Sequence, residues 1–235
     1  SAESRLSHDH LLHLDRLLQE FFRDLDASVG RDNYLAVLSA DHGFMPAPET
    51  TLAQGRDAGR VSASQMRARV NAVLEQRFGV PGLVGFISAS ALVLDRKLLA
   101  ERGLAMDTVA AAARDALVAE PAIVAAYTRA ELAGGSRAGA PFFDAMRRSW
   151  HATLSGDVQY ALKPHWMLGS SSSIATHGSP HPYDTHVPIL LWGPRWIRPG
   201  EVQRRVEVTD LAPTLARLLH VPAPASSEGR LLPLR

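Results

Sequence analysis

Apolar residues at the start of the chain recur every three or four positions. Leu11, Leu14, Leu18, Phe21, Phe22 and Leu25 share one face of a helix predicted over 3–28, and Gly30 follows as a stop. The pattern then contracts to a short apolar run, Tyr34-Leu35-Ala36-Val37-Leu38-Ser39-Ala40, which predicts a buried strand over 34–40. A helix, a short turn and a buried strand make half of an αβ repeat. That favours an α/β fold with a mostly parallel sheet sandwiched by helices.

From about 46 to 151 the periodicity becomes mixed. Pro46-Ala47-Pro48 opens an irregular stretch holding Gly55, Arg56, Gly59 and Arg60. A helix is predicted over 64–78 with Gly79 ending it, then one or two strands between Leu83 and Leu94. Asp107 is placed to cap an alanine-rich helix running to about 119, followed by a strand near 122–127 and a glycine-rich break at 134–139. This block reads as an inserted α+β lobe. The expected organisation is core helix and strand over 1–45, lobe over 46–151, and core again over 152–235.

The last part returns to core strands, Val158–Leu162 and Val187–Trp192, the second stopped by Gly193-Pro194. Between them, Ser170–Ser173 is loop by composition and has no nucleophile-elbow pattern. Thr209 or Asp210 is placed to cap a helix over 211–219, with Pro213 in its first turn.

Bulk properties narrow the field. A chain of 235 residues with 46% hydrophobic positions can build a sizeable core. Lys plus Arg is 25 against Asp plus Glu 24, and no basic tract appears, which argues against a nucleic-acid partner. No segment is long and apolar enough for a transmembrane helix. Cysteine is absent, so thiolate metal sites and cysteine nucleophiles are excluded. Ser1-Ala2-Glu3-Ser4 leads straight into the helical pattern with no signal peptide. The chain is therefore expected to begin mid-fold, as an incomplete piece of a larger structure.

Two places concentrate chemistry. Asp41-His42-Gly43 delivers a carboxylate and an imidazole where a strand ends, the position at which open α/β sheets gather ligand chemistry. The loop Thr176-His177-Gly178-Ser179-Pro180-His181-Pro182-Tyr183-Asp184-Thr185-His186 packs three histidines ahead of a core strand. By spacing alone, His177, His181 and His186 can form one local metal site, or one can be a ligand while the others hydrogen-bond the loop. His8, His10 and His13 lie on a helix and read as solvated or packing residues. Lys163, Arg56 and Arg60 read as ordinary loop or strand-end cations, and Trp192 and Trp196 as packing anchors.

Leu38-Ser39-Ala40-Asp41-His42-Gly43 resembles the Asp-His motif of the alkaline phosphatase superfamily. His177-Gly178-Ser179-Pro180 and Tyr183-Asp184-Thr185-His186-Val187-Pro188 are similar to the late histidine loop of its bacterial phosphatase and phosphodiesterase branch. Thr209-Asp210-Leu211-Ala212-Pro213-Thr214-Leu215 and Ser227-Glu228-Gly229-Arg230 resemble the helix start and tail that follow. Several motifs in the right order carry far more weight than Asp-His-Gly alone.

The resemblance implies a metal-dependent hydrolase of phosphate monoesters. Two divalent metal ions, usually zinc, would flank a Thr or Ser that becomes phosphorylated. It makes Asp41 and His42 ligands of the ion that activates the nucleophile, and His177 a ligand of the other. His186 is left as a supporting residue and His181 as a substitute ligand. The nucleophile and the remaining ligands are expected upstream of Ser1, so this chain alone should lack turnover. The resemblance also implies a small-molecule phosphate ester as substrate and an exported, periplasmic location. The rivals are a phosphodiesterase or nucleotide pyrophosphatase of the same superfamily, and a non-catalytic metal-binding relative.

Overall fold

A computed structural model describes residues 3–169 and 172–234. In chain order the elements are α1 (Arg5–Ser28), β1 (Ala36–Ser39), α2 (Pro48–Ala53), β2 (Gly59–Val61), α3 (Ala63–Phe78), β3 (Val84–Ile87) and β4 (Ala91–Leu94). They continue with α4 (Arg96–Glu101), α5 (Met106–Val118), β5 (Ile123–Thr128), α6 (Arg129–Gly134), α7 (Phe143–Ser149) and β6 (Val158–Leu162). The last are β7 (Trp166–Leu168), α8 (Pro182–Thr185), β8 (Ile189–Trp192), a 3-10 turn at Val208–Asp210 and α9 (Leu211–Leu218). The described residues gather into two compact units, one of residues 42–169 and 172–186 with Glu3, the other of residues 4–41 and 187–234.

In the second unit α1 forms where the three-to-four spacing predicts it. Ser4 caps it, its hydroxyl accepting the Ser7 N–H at 3.1 Å. An aromatic chain ties the helix to the strands. Phe22 stacks on Tyr34 at 6.3 Å, Tyr34 leans on Trp192 at 4.8 Å, and the Tyr34 hydroxyl donates to Asp26 at 2.6 Å. β1 pairs antiparallel with β8, Ala36 opposite Trp192 and Ser39 opposite Ile189. The burial expected for this strand is not met. Val37 and Leu38, adjacent and so on opposite faces, are both exposed, as is Leu190, because this two-stranded ribbon is left partly uncovered on both faces. Among the described residues no helix is long and apolar enough to cross a membrane.

The late motifs of this unit interlock. Asp210, one of the two positions expected, occupies the N-cap of α9, without a side-chain bond to the helix. Its carboxylate accepts the backbone N–H groups of Glu207 at 3.0 Å and Arg230 at 2.7 Å, and these bonds hold its pKa below the usual carboxylate range. Gly229 packs so closely on the Thr209 carbonyl that an added Cβ would sit 2.0 Å from it. Farther along, the Leu232 N–H donates to the Thr214 hydroxyl at 2.8 Å. The Thr-Asp and Ser-Glu-Gly-Arg strings therefore form one joint.

The larger unit holds the main core. Strands run in the order β3-β4-β6-β5, all neighbours antiparallel. Met66, Val70 and Leu74 of α3 and Val109, Ala113 and Leu117 of α5 pack on one face against Leu92, Val158, Tyr160 and Leu162. The alanines of α5 keep that helix close to the sheet. On the other face, Ala125, Tyr127 and Ala161 meet Leu132, Phe143 and Met146 of α6 and α7. The alternation along β5 and β6 follows the period of two of a strand covered on both sides. α5 begins at Met106, and Ala105 rather than Asp107 occupies its cap. Asp107 lies in the first turn, where its charge suits the helix dipole. Elsewhere β2 pairs with β7 in parallel. The α/β class read from the sequence holds, but among the described residues parallel pairing is confined to β2–β7. The other ladders are antiparallel: β3 returns on β4 through a short turn, whereas β5 and β6 pair across the intervening α6 and α7.

Asp157, fully buried at the entrance to β6, joins these layers. Its carboxylate accepts the Leu94 N–H at 2.9 Å and the guanidinium groups of Arg96 at 2.8 Å and Arg129 at 3.2 Å. Asp157→Ala strands these donors and is expected to cost about 3 kcal/mol of stability, read as a lowered midpoint in denaturant, with Asp157→Asn costing less.

Candidate functional site

β1 runs out at Ser39, and Asp41 stands at an exposed bend directly before His42. Beyond His42 the chain enters a tight seam. The Gly43 N–H donates to the Asp184 carbonyl at 2.8 Å, and the Met45 N–H donates to the Thr176 carbonyl at 3.0 Å. A Cβ on residue 43 would lie 2.1 Å from the Tyr183 carbonyl oxygen, so only glycine allows this approach. The seam brings His42 against His177. The two rings stack with centroids 3.8 Å apart and planes 3° from parallel.

The protonation pattern of His42 suits a ligand. Its Nδ1 lies 2.7 Å from the Gly43 carbonyl oxygen. A carbonyl oxygen only accepts, so Nδ1 carries a hydrogen, and in the Nδ1–H tautomer Nε2 is the nitrogen able to coordinate. Histidine ligands commonly use their second nitrogen in this way. Imidazole coordinates in the ring plane, and two parallel planes do not meet. In this arrangement His42 and His177 therefore cannot share one ion, but each can serve its own. Two imidazoles so placed are compatible with ligands of two separate, neighbouring ions. Asp41 is the last residue of the other compact unit before His42. Among the described residues no set of three or more His, Asp and Glu side chains stands together as a metal cage.

The histidine-rich loop divides its labour. His181 is buried, and its Nε2–H donates to the Leu162 carbonyl at 2.8 Å while the ring meets Phe142 edge-on. It is a structural anchor of the loop to β6. His186 is exposed at the end of α8. The three-histidine site is therefore not assembled, because Pro182 starts α8 directly after His181 and the loop's histidines diverge. His8, His10 and His13 lie exposed along α1.

Several residues of the site were not anticipated. Asp184 is buried, and its Oδ2 accepts both the Ser179 N–H at 2.8 Å and the Ser179 hydroxyl at 2.5 Å. The Tyr183 hydroxyl accepts the His165 N–H at 3.3 Å, and burial pushes the tyrosine pKa up. His165 itself adopts a left-handed backbone, φ 65°. Arg60, expected as a solvated cation, is instead largely covered. It forks onto Glu49 at 2.7 and 3.0 Å and donates to the Ser173 carbonyl at 2.5 Å, four residues before His177. Ser170 and Ser171 of the serine loop lie outside the described residues. The signals for these roles were slight: a Ser five positions before an Asp, and an Arg and Glu separated by an irregular stretch.

The comparisons with known proteins point one way. Alkaline phosphatase PafA of Elizabethkingia meningoseptica is 32% identical over 223 residues, 94% of this chain and 40% of that protein. Alkaline phosphatase PhoK of Sphingomonas sp is 33% identical over 243 residues, covering 94% of this chain and 41% of PhoK. A protein of Myroides odoratus named a calcium-transporting ATPase is 30% identical over 226 residues, with 94% and 40% covered. The crystal structure of wild-type PafA superposes with a TM-score of 0.84 at 31% identity, over 95% of this chain and 42% of PafA. The chain thus spans about two fifths of the length of the relatives it matches. No protein-family profile matches it.

Two outcomes test this geometry. Gly43→Ala forces Cβ against the Tyr183 carbonyl and is expected to cost about 1–3 kcal/mol and to abolish ring-to-ring NMR contacts between His42 and His177. The bonds from Arg60 draw the Glu49 pKa down to about 2. A depressed carboxylate pKa means the pairing is complete above the ordinary carboxylate range and is lost as pH falls towards 2. The Arg60 Nε–H resonance should follow that titration, and it should stay flat in Glu49→Gln.

Proposed function

We propose that this chain, which belongs to the alkaline phosphatase superfamily, supplies half of the ligand set of a two-metal phosphomonoesterase. The observation that carries the reading is the stacked His42–His177 pair, whose parallel planes suit two neighbouring ions and not one. Relatives named alkaline phosphatases support the reaction class.

In this reading Asp41 and His42 hold the ion beside the nucleophile, and His177 holds the ion beside the hydrolytic water. The carbonyl of Gly43 keeps Nε2 of His42 as the donor nitrogen. Two divalent ions held there, zinc by preference, would supply positive charge to lower the nucleophile's pKa and offset charge on the leaving group. A Thr or Ser contributed by polypeptide outside this chain attacks phosphorus, carries the phosphoryl group and passes it to water. The other three ligands come from the same source. The substrate is a small phosphate monoester, and the intact protein works in the periplasm, a location that cell fractionation tests.

The decisive assay uses this chain together with the polypeptide that completes the ligand set. Zinc-dependent hydrolysis of p-nitrophenyl phosphate is expected, with little turnover by the 235-residue chain alone. Asp41→Asn, His42→Ala and His177→Ala should each lower kcat/KM by about 100-fold or more, since each removes a ligand. His186→Ala should lower it far less. Full activity in His177→Ala would overturn the assignment. A higher specificity constant for bis(p-nitrophenyl) phosphate would replace the monoesterase by a diesterase.

A further inference from the structure

We infer that Asp184 is a positioning residue, which sets the distance and orientation between the His42 and His177 imidazoles. The inference rests on that pair being the site proposed above. Asp184 touches both sides of it. Its backbone carbonyl accepts the N–H of Gly43, one residue after His42. Its carboxylate accepts both donors of Ser179, two residues after His177.

The intervening chain turns those bonds into a rigid link. Pro180 and Pro182 fix their own φ angles and cannot donate. Pro182 opens α8, and the Asp184 N–H closes back on the His181 carbonyl at 2.9 Å. The ring from Ser179 through α8 and back through the carboxylate therefore has little freedom. Gly178, at φ 89°, is the one soft joint left between that ring and His177. Where Ser179 is held, His177 is held.

The energetics argue against a purely stabilising role. Asp184 is 3% exposed, and its Oδ1 finds no hydrogen-bond partner among the described residues. A buried carboxylate with an unsatisfied oxygen costs stability. The return lies in the two-pronged grip on Ser179. An amide at this position offers the same acceptor to Ser179, whereas a methyl group offers none.

The test uses the metal-free chain, so it needs neither zinc nor turnover and stands apart from the phosphatase reading. NMR follows contacts between the His42 and His177 rings, with amide-exchange protection in β5 and β6 as the control for folding. Asp184→Ala and Ser179→Ala are expected to lose the ring contacts while β5 and β6 stay protected, and Asp184→Asn to keep them. Should Asp184→Ala fail to fold, Ser179→Ala decides, because it removes only one hydroxyl. Ring contacts that persist in Ser179→Ala and in a folded Asp184→Ala overturn the inference. In protein carrying the complete ligand set, zinc affinity should fall about 10–100-fold in Asp184→Ala, and an unchanged affinity would count equally against it.

Discussion

The close contact between the main chain at Gly43 and the main chain at Tyr183–Asp184 governs the site. Two peptide units meet at a separation that forbids any Cβ at residue 43. One hydrogen bond there, and a second from Met45 to Thr176, fix the relative height of two segments remote in sequence. Both imidazoles stand beside that seam, so their stacking follows from backbone register and not from attraction between the rings. A metal site benefits from this order of causes. Ligands placed by main-chain bonds do not have to be gathered by the ion, and less conformational entropy is lost when it binds.

The helix α8, only four residues long, works as a junction. Each of its positions serves a different neighbour. His181 at its start reaches back to β6 through Leu162, Tyr183 holds the turn at His165, and Asp184 meets both Gly43 and Ser179. The junction transmits the rigidity of the antiparallel sheet to a loop that would otherwise be mobile. A buried imidazole must satisfy its N–H, and at His181 the carbonyl of Leu162 does so, which fastens that end of the loop to β6.

Buried or half-buried carboxylates recur as joints elsewhere. Asp157 gathers a backbone N–H and two guanidinium groups at the entrance of β6. Asp210 gathers two backbone N–H groups where the tail returns to α9. Each places carboxylate oxygens where separate segments end with unpaired donors, as one oxygen of Asp184 does for Ser179. The alternative, an unpaired donor buried at a segment end, costs more than the desolvation of a well-bonded carboxylate.

Local pattern alone fixed a good part of this protein. Spacing located α1, α3, β5, β6 and α9 with errors of a residue or two, because apolar periodicity and glycine stops act within a turn or a strand. The motif strings, with their order along the chain, pointed to the family and nominated Asp41, His42 and His177. Local pattern missed β2, β7, α2 and α8, whose few residues carry too little periodicity to register. It also overstated the burial of β1, since burial depends on which layers lie alongside. Only the tertiary structure showed that His42 and His177 face each other, that His181 is spoken for by Leu162, and that Arg60 and Asp184 hold the loop. The reason is physical. Residue type and spacing are properties of a short stretch of chain. Which lone pair is already engaged, and which two rings lie in parallel planes, are settled by bonds between segments that no local pattern records.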